Sequence, residues 1–302
     1  YLHSLVSIKA PRDITLVADA GNGMATVLEP IMKKGFPIDF HPLFFELDGT
    51  FPNRGSNPTL AKNIKPIQAE IKKVQPDFGV AFDGDVDRVA FFDENGKLIN
   101  SAVIGAMITK LLLQKHQGKN KLKFVYTNFT SRSLFESIKE NGGTPVRARV
   151  GHAFIKKLMR DRDVAFGCEH SAHFFFKENF YADSGILTLL YVLDIYSDAV
   201  CEGKKFSDLV KEFQRYHQSE ELLVKVKDKN NVMKSATVHY KKLKPKKIDT
   251  FDGIYADFGD YWFCLKKSIT EDALKFVVES PSKKVTKEKQ KEVLELVKKF
   301  NH

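Results

Sequence analysis

Cysteine is scarce in this chain. Its 302 residues hold three, Cys168, Cys201 and Cys264, far apart and odd in number. That argues against a disulfide framework or a cysteine zinc site and predicts a reducing, cytoplasmic setting. No apolar run approaches the roughly 18 residues of a membrane span, so no membrane is expected. The opening Tyr1-Leu2-His3-Ser4-Leu5-Val6 has no basic stretch ahead of an apolar core, which is not the pattern of a signal peptide. Its first residue is not Met, and an upstream piece is expected. Acidic residues are in deficit, 38 against 48 Lys and Arg, for a net charge of +10. The balance favours anionic partners, either a phosphorylated metabolite or nucleic acid. The lysines are scattered and dense only in the last third, with no recognition helix or RNA-binding signature, so no nucleic acid is expected.

With 43% hydrophobic and 28% charged residues the chain reads as an ordinary globular protein, long enough for two or three domains. Residues 14–19 read as a strand, and Ala20-Gly21-Asn22-Gly23 as a tight turn into a helix near Met24. Those glycines suit a structural turn better than a phosphate cradle. A strand over 40–45, a helix over 60–74 and a strand over 79–82 follow. The pattern then restarts: a helix from Ser101, as cap, to 114, a strand at 122–127, a helix at 131–141 and a strand at 144–150. Next come a helix to Met159, a strand at 164–167 and, after Asp183-Ser184-Gly185, a long apolar helix to Tyr196. Alternating strand and helix predicts mostly parallel sheets covered by helices. After a linker at 200–218, which takes in a helix over 206–216, strands at 221–226, 254–258, 261–265 and 274–278 and a helix over 286–300 predict something different. The expected fold is two consecutive α/β domains with mixed, mostly parallel sheets, residues 1–97 and 98–210, plus a smaller C-terminal α+β domain, 211–302. No close sequence repeat joins the first two.

Three loops carry chemistry. After the strand at 79–82 come Asp83-Gly84-Asp85-Val86-Asp87-Arg88. In an extended backbone alternate residues point one way, so the three carboxylates converge and need a cation between them. Oxygen ligands on a short loop suit Mg2+, and Arg88 adds a fork that matches phosphate. The bland alternative is a solvated acidic turn. The second loop holds Glu169, Ser171 and His173, again at alternate positions: an acceptor, a hydroxyl and an imidazole that suit a polyhydroxylated ligand, or else a polar surface loop. The third, Lys266-Lys267-Ser268-Ile269-Thr270, is a cationic, hydroxyl-bearing loop able to hold a phosphate, or else a solvated basic turn.

Taken in order, Asp19-Ala20-Gly21-Asn22-Gly23, Phe51-Pro52-Asn53-Arg54, Asp83 to Arg88, Gly151-His152, Glu169 to His173 with the phenylalanines after it, and residues 262–270 resemble the alpha-D-phosphohexomutase superfamily, in its phosphomannomutase/phosphoglucomutase branch. The resemblance covers nearly the whole chain. It implies Mg2+-dependent transfer of phosphate between C1 and C6 of mannose or glucose phosphates, an isomerase reaction, through a hexose 1,6-bisphosphate that turns round in the site. It implies that Asp83, Asp85 and Asp87 hold Mg2+, and that Arg88 meets phosphate near the reacting hydroxyl. Glu169 and Ser171 would then bind sugar hydroxyls, His152 and His173 line the pocket and help move protons, and Lys266, Ser268 and Thr270 clamp the idle phosphate.

The family's phosphoserine loop, Thr-x-Ser-His-Asn-Pro, has no counterpart in these residues; Gly55-Ser56-Asn57-Pro58 lacks the His and is not read as one. The resemblance therefore implies domains two to four of a four-domain enzyme, with the first supplied in cis or in trans. Ala172 stands where the family has Gly, Lys266 where it usually has Arg, Ile269 for Gly or Asn, and Asp272 for a common Pro. These departures keep a second reading open, a non-catalytic phosphosugar- or partner-binding relative. A third, a haloacid-dehalogenase-type phosphatase with Asp83 as nucleophile, rests on residues 80–86 alone.

Overall fold

The computed structural model describes residues 2–30, 32, 36–116, 118, 120–269 and 271–301. Strands β1 (Ile14–Asp19), β2 (Ile38–Leu43), β3 (Phe78–Phe82) and β4 (Val89–Asp93) form a first sheet, ordered β2-β1-β3-β4. β1 runs parallel to β2 and β3, and β4 returns antiparallel to β3. Every residue of β3 and β4 is buried, which is why β3 reads as an apolar run rather than an alternating one. Phe78, Val80 and Phe82 join the large core on one face. Ala81 joins Ile67 and Ile71 of the helix Lys65–Val74 on the other.

A second sheet has the same plan. Strands β5 (Lys123–Thr127), β6 (Thr144–Ala148), β7 (Phe166–Cys168), β8 (Phe174–Phe176) and β9 (Ala182–Asp183) lie in the order β6-β5-β7-β8-β9. β5 is parallel to β6 and β7; β8 and β9 return antiparallel. Between the two sheets lie the apolar helices Ser101–Lys115 and Gly185–Cys201, so one continuous core contains Leu16 and Val80 of the first sheet and Phe124 and Phe166 of the second.

The third sheet is antiparallel throughout, from β10 (His217–Gln218), β11 (Leu222–Lys225), β12 (Lys247–Asp249), β13 (Ile254–Asp257), β14 (Trp262–Lys267) and β15 (Ala273–Ser280). It is held to the second by the ion pairs Arg132–Asp257 and Arg147–Asp249, both 2.6 Å, and by Phe129 packed with Trp262, Cys264 and Val277.

Several expectations shift. The cap of the helix from Ser101 is Asn100, whose side chain accepts the Ala102 N–H at 2.9 Å. The helix expected from residue 60 starts at Lys65, where Pro66 sits comfortably in the first turn because its missing N–H has no partner there to lose. The boundary expected at 210/211 falls inside the helix Phe206–Phe213, whose Phe206, Leu209, Val210 and Phe213 are all part of the first core. A helix that went unread, Lys229–Lys242, buries Val232, Ala236 and Tyr240 at four-residue spacing and is capped by Asp228. Among the described residues no helix is long and apolar enough to cross a membrane.

Candidate active site

The 83–88 loop joins β3 to β4 and is a run of bends, not an extended strand. Val86 takes a left-handed conformation (φ 69°), unusual for a β-branched residue. The bend, rather than strand alternation, brings ligand oxygens of Asp83, Asp85 and Asp87 within 4.8 Å of one another. Asp83 is buried and Asp85 exposed. Arg88 grips both oxygens of Asp83, with its backbone N–H at 3.1 Å and Nε at 2.7 Å. Burial, and then the facing Asp87 carboxyl, push the Asp83 pKa up to about 6, while hydrogen bonding from His173 holds Asp87 well below the usual carboxylate range. Asp87 Oδ1 is buried with no hydrogen-bond partner. An all-oxygen set of crowded carboxylates with an unpaired buried oxygen fits a hard divalent cation, Mg2+ among them.

The loop is braced from behind. Arg54 donates from Nε to Asp19 Oδ2 (2.7 Å) and from Nη2 to Phe82 O (2.7 Å), the carbonyl just before Asp83. Both side chains of the pair are buried. The glycine turn of residues 20–23 packs against the same loop. Met24 N–H donates to Gly84 O at 2.9 Å, and a β-carbon on Gly23 would lie 2.7 Å from that same oxygen.

The 169–173 loop joins β7 to β8 and is also a turn, with Ala172 left-handed (φ 68°) where the resemblance led us to expect Gly. Buried Glu169 accepts the Gly151 N–H at 2.8 Å, and burial raises its pKa. His173 Nδ1 lies 2.8 Å from Ser171 Oγ and 3.6 Å from Glu169 Oε2; Nε2 lies 3.5 Å from Asp87 Oδ2. Burial alone would lower the His173 pKa, but Asp87 and Glu169 outweigh it and the net shift is upward. The backbone also joins the loops: Val89 N–H donates to Ala172 O at 3.3 Å. So Asp83, Asp85, Asp87, Arg88, Glu169, Ser171 and His173 form one cluster. His152 is exposed at the first position of the helix His152–Arg162, next to the Gly151 that Glu169 holds.

The third loop differs from its reading as a solvated turn. Lys266 and Ser268 are buried, and Lys266 Nζ is held by Asp252 at 2.8 Å. Asp252 also accepts the Val150 N–H, tying this loop to the second sheet's side of the molecule. Ile269 is exposed, and Thr270 lies outside the described residues. A cleft of about 390 Å3 opens here, lined in part by Arg149, Asp252, Lys266 and Ser268. Asp272, which stands where the family commonly has Pro, pairs with Lys229 at 3.2 Å. Sequence reasoning gave no role to Asp252, Asp183 or the Asp19–Arg54 pair. Asp19 and Arg54 lay inside quoted motifs, but nothing local says that residues 35 apart meet.

Residues 1–96 match the family model for phosphoglucomutase/phosphomannomutase alpha/beta/alpha domain II, and residues 100–216 match that for domain III. The chain belongs to the phosphoglucomutase/phosphomannomutase family. It is 35% identical over 281 residues to a phosphohexose mutase of Xanthomonas campestris pv. campestris, covering 93% of this chain and 61% of that one. It is 35% identical over 294 residues to a phosphomannomutase of Methanocaldococcus jannaschii, covering 96% and 62%. The chain thus spans about three fifths of the length of these curated relatives. A phosphoglucomutase/phosphomannomutase family protein of Burkholderia thailandensis superposes with a TM-score of 0.85 at 24% identity, covering 99% of this chain and 63% of the other. N-acetylphosphoglucosamine mutase of Aspergillus fumigatus, solved with GlcNAc-6P and magnesium, superposes with a TM-score of 0.71 at 15% identity, covering 100% and 64%. Family membership, spread over both α/β units, displaces the haloacid-dehalogenase reading, which explained only residues 80–86.

Proposed function

We propose that this chain carries the metal, sugar and phosphate sites of a phosphohexomutase that moves a phosphoryl group between C1 and C6 of mannose or glucose phosphates, in the cytoplasm. In this reading Asp83, Asp85 and Asp87 hold Mg2+. When bound, the ion neutralises charge on the transferring phosphoryl group. Arg88, already at the rim of the trio, turns its free guanidinium nitrogens to a phosphate. Glu169 and Ser171 take sugar hydroxyls in either orientation of the hexose 1,6-bisphosphate, and His173 and His152 hold or move the hydroxyl proton. Lys266, Ser268 and Thr270 bind the phosphate that is not reacting. The phosphoserine comes from outside these 302 residues, in cis or in trans. The functional units are residues 1–97, 98–213 and 214–302, the second boundary moved past the helix Phe206–Phe213.

The observation that supports this best is the junction of the two acidic loops, where His173 stands between Asp87 and Glu169. A metal-phosphate chemistry and a hydroxyl-binding chemistry then share one side chain. The test is titration calorimetry of glucose 1,6-bisphosphate into the chain with Mg2+, followed by addition of a family first domain. Binding that needs Mg2+ and Glu169, and mutase turnover on addition, are expected. Absence of both would sink the reading. Binding without turnover favours the non-catalytic relative, for which the Lys266–Asp252 pair speaks, since it leaves the loop with less free positive charge.

A further inference from the structure

We propose a second cation site beside the aspartate trio, formed by His173 Nε2, Asp87 and Asp183, that takes a nitrogen-tolerant divalent ion such as Mn2+, Co2+ or Zn2+. Ligand atoms of these three residues lie within 4.8 Å of one another. Asp183, from β9, is not a sequence neighbour of either loop, and no sugar or phosphate role accounts for it. Its side chain is only 5% exposed. Lys156 Nζ takes Oδ1 at 2.7 Å, but Oδ2 is buried without any hydrogen-bond donor. Asp87 Oδ1 is in the same condition, with Arg88 Nε no nearer than 3.6 Å. Two orphaned carboxylate oxygens in one small region point to a ligand that supplies positive charge without a hydrogen-bond geometry.

The imidazole is set up for the same purpose. Ser171 Oγ at 2.8 Å and Glu169 Oε2 at 3.6 Å face Nδ1, which leaves Nε2 turned to Asp87. A ring nitrogen engaged by a hydroxyl and a carboxylate, with the other free toward carboxylates, is how proteins orient a histidine ligand. One nitrogen and two carboxylates suit Zn2+ or Mn2+, whereas Mg2+ prefers the oxygen-only trio. Sharing Asp87 places the second ion next to the aspartate trio, and, on the mutase reading alone, binding there takes His173 away from the hydroxyl proton. The site therefore makes the chain sensitive to transition ions in a way Mg2+ alone does not. This inference stands on the residues themselves and does not need the mutase reading.

The test is Co2+ titration of the full chain in excess Mg2+, read by the visible d–d spectrum, whose position and intensity follow the ligand set and geometry, with the nitrogen contribution taken as the difference from His173→Gln and no activity assay needed. We expect one Co2+ per chain. Asp183→Asn should weaken it at least about tenfold, the usual size of effect even for residues behind a ligand. His173→Gln should remove the nitrogen signature. Asp85→Asn, which belongs to the trio alone, should weaken Mg2+ and leave Co2+ within about twofold. Unchanged Co2+ binding in Asp183→Asn overturns the proposal. So does a loss in Asp85→Asn equal to that in Asp183→Asn, which would put Co2+ on the trio. If Asp183→Asn does not fold, His173→Gln decides: a retained nitrogen-type spectrum overturns the site, and its loss supports it.

Discussion

The two α/β units place their loops at the same point of the same topology and give them different chemistry. In each sheet the first strand is flanked by parallel neighbours, and the third turns back into an antiparallel fourth. The 83–88 loop and the 169–173 loop both occupy that third-to-fourth turn, at the carboxyl end of a parallel strand where α/β folds bind ligands. Each reaches the return strand through a left-handed residue that is not glycine, Val86 or Ala172. Their braces differ. The first is held by the buried Asp19–Arg54 ion pair, the second by neutral donors, among them the Gly151 N–H to Glu169 and Ser101 Oγ to His170 O at 3.2 Å. Topology sets where a loop presents itself; the side chains set what it can hold.

The sharpest way to break this comparison is to remove the brace that only the first loop has. Arg54→Met leaves Asp19 charged and buried and strips a donor from Phe82 O. It should cost about 3–5 kcal/mol in urea unfolding and weaken Mg2+ binding. A loss no larger than that of an exposed arginine would show that the pair does not hold the loop. Next, Asp85→Asn should lower Mg2+ affinity at least about tenfold by calorimetry while Glu169→Gln leaves it within about twofold. Equal losses would mean that the loops share one metal function.

Replacing each left-handed residue by glycine should split the loops by sign. Val86→Gly loses three carbons from a buried side chain, which outweighs relief of backbone strain, and should destabilise by about 1–2 kcal/mol. Ala172→Gly loses one methyl and should be neutral to stabilising by up to about 1 kcal/mol. Matched urea curves that move in one direction would contradict the shared geometry.

The smallest effect concerns the two ends of β3, where flanking carboxylates shift oppositely. Asp83, after the strand, is pushed up; Asp77, before it, is held down. Burial alone would raise Asp77, but hydrogen bonds from Arg12, Thr15 N–H and Tyr196, with the Arg12 charge, outweigh it. A depressed folded pKa contributes stability above the unfolded value of about 3.9 and loses it as pH falls through the folded value. Arg12 is 53% exposed, so screening keeps the term below about 1 kcal/mol. Asp77→Asn should therefore lower thermal stability by a small, roughly constant amount above about pH 4, with the two proteins converging and the acid limb flattened below it.

Much of this architecture was legible because it is written in short-range pattern. Unbroken apolar runs marked β1 and β3, helical spacing marked Ile67 and Ile71, and carboxylates at alternate positions marked the trio. Of the return strands that went unread, β8 and β9 are only three and two residues long, and β4 follows its loop at once, so nothing separates turn from strand. The reason given for convergence was also incomplete, since left-handed Val86 and Ala172 bend loops that period two would have left extended.

By itself, then, the sequence determined which residue types stand together along the chain: three carboxylates and an arginine in one run, Glu, Ser and His in another. Those pairings need only local spacing. What the tertiary structure alone decided is which runs meet. It brought Arg54 to Asp19 and Phe82, His173 to Asp87, Asp252 to Lys266, and Asp183 to the edge of the aspartate trio. Those meetings depend on strand order and on the helix layer between the sheets, and long-range packing of that kind leaves no trace in local periodicity.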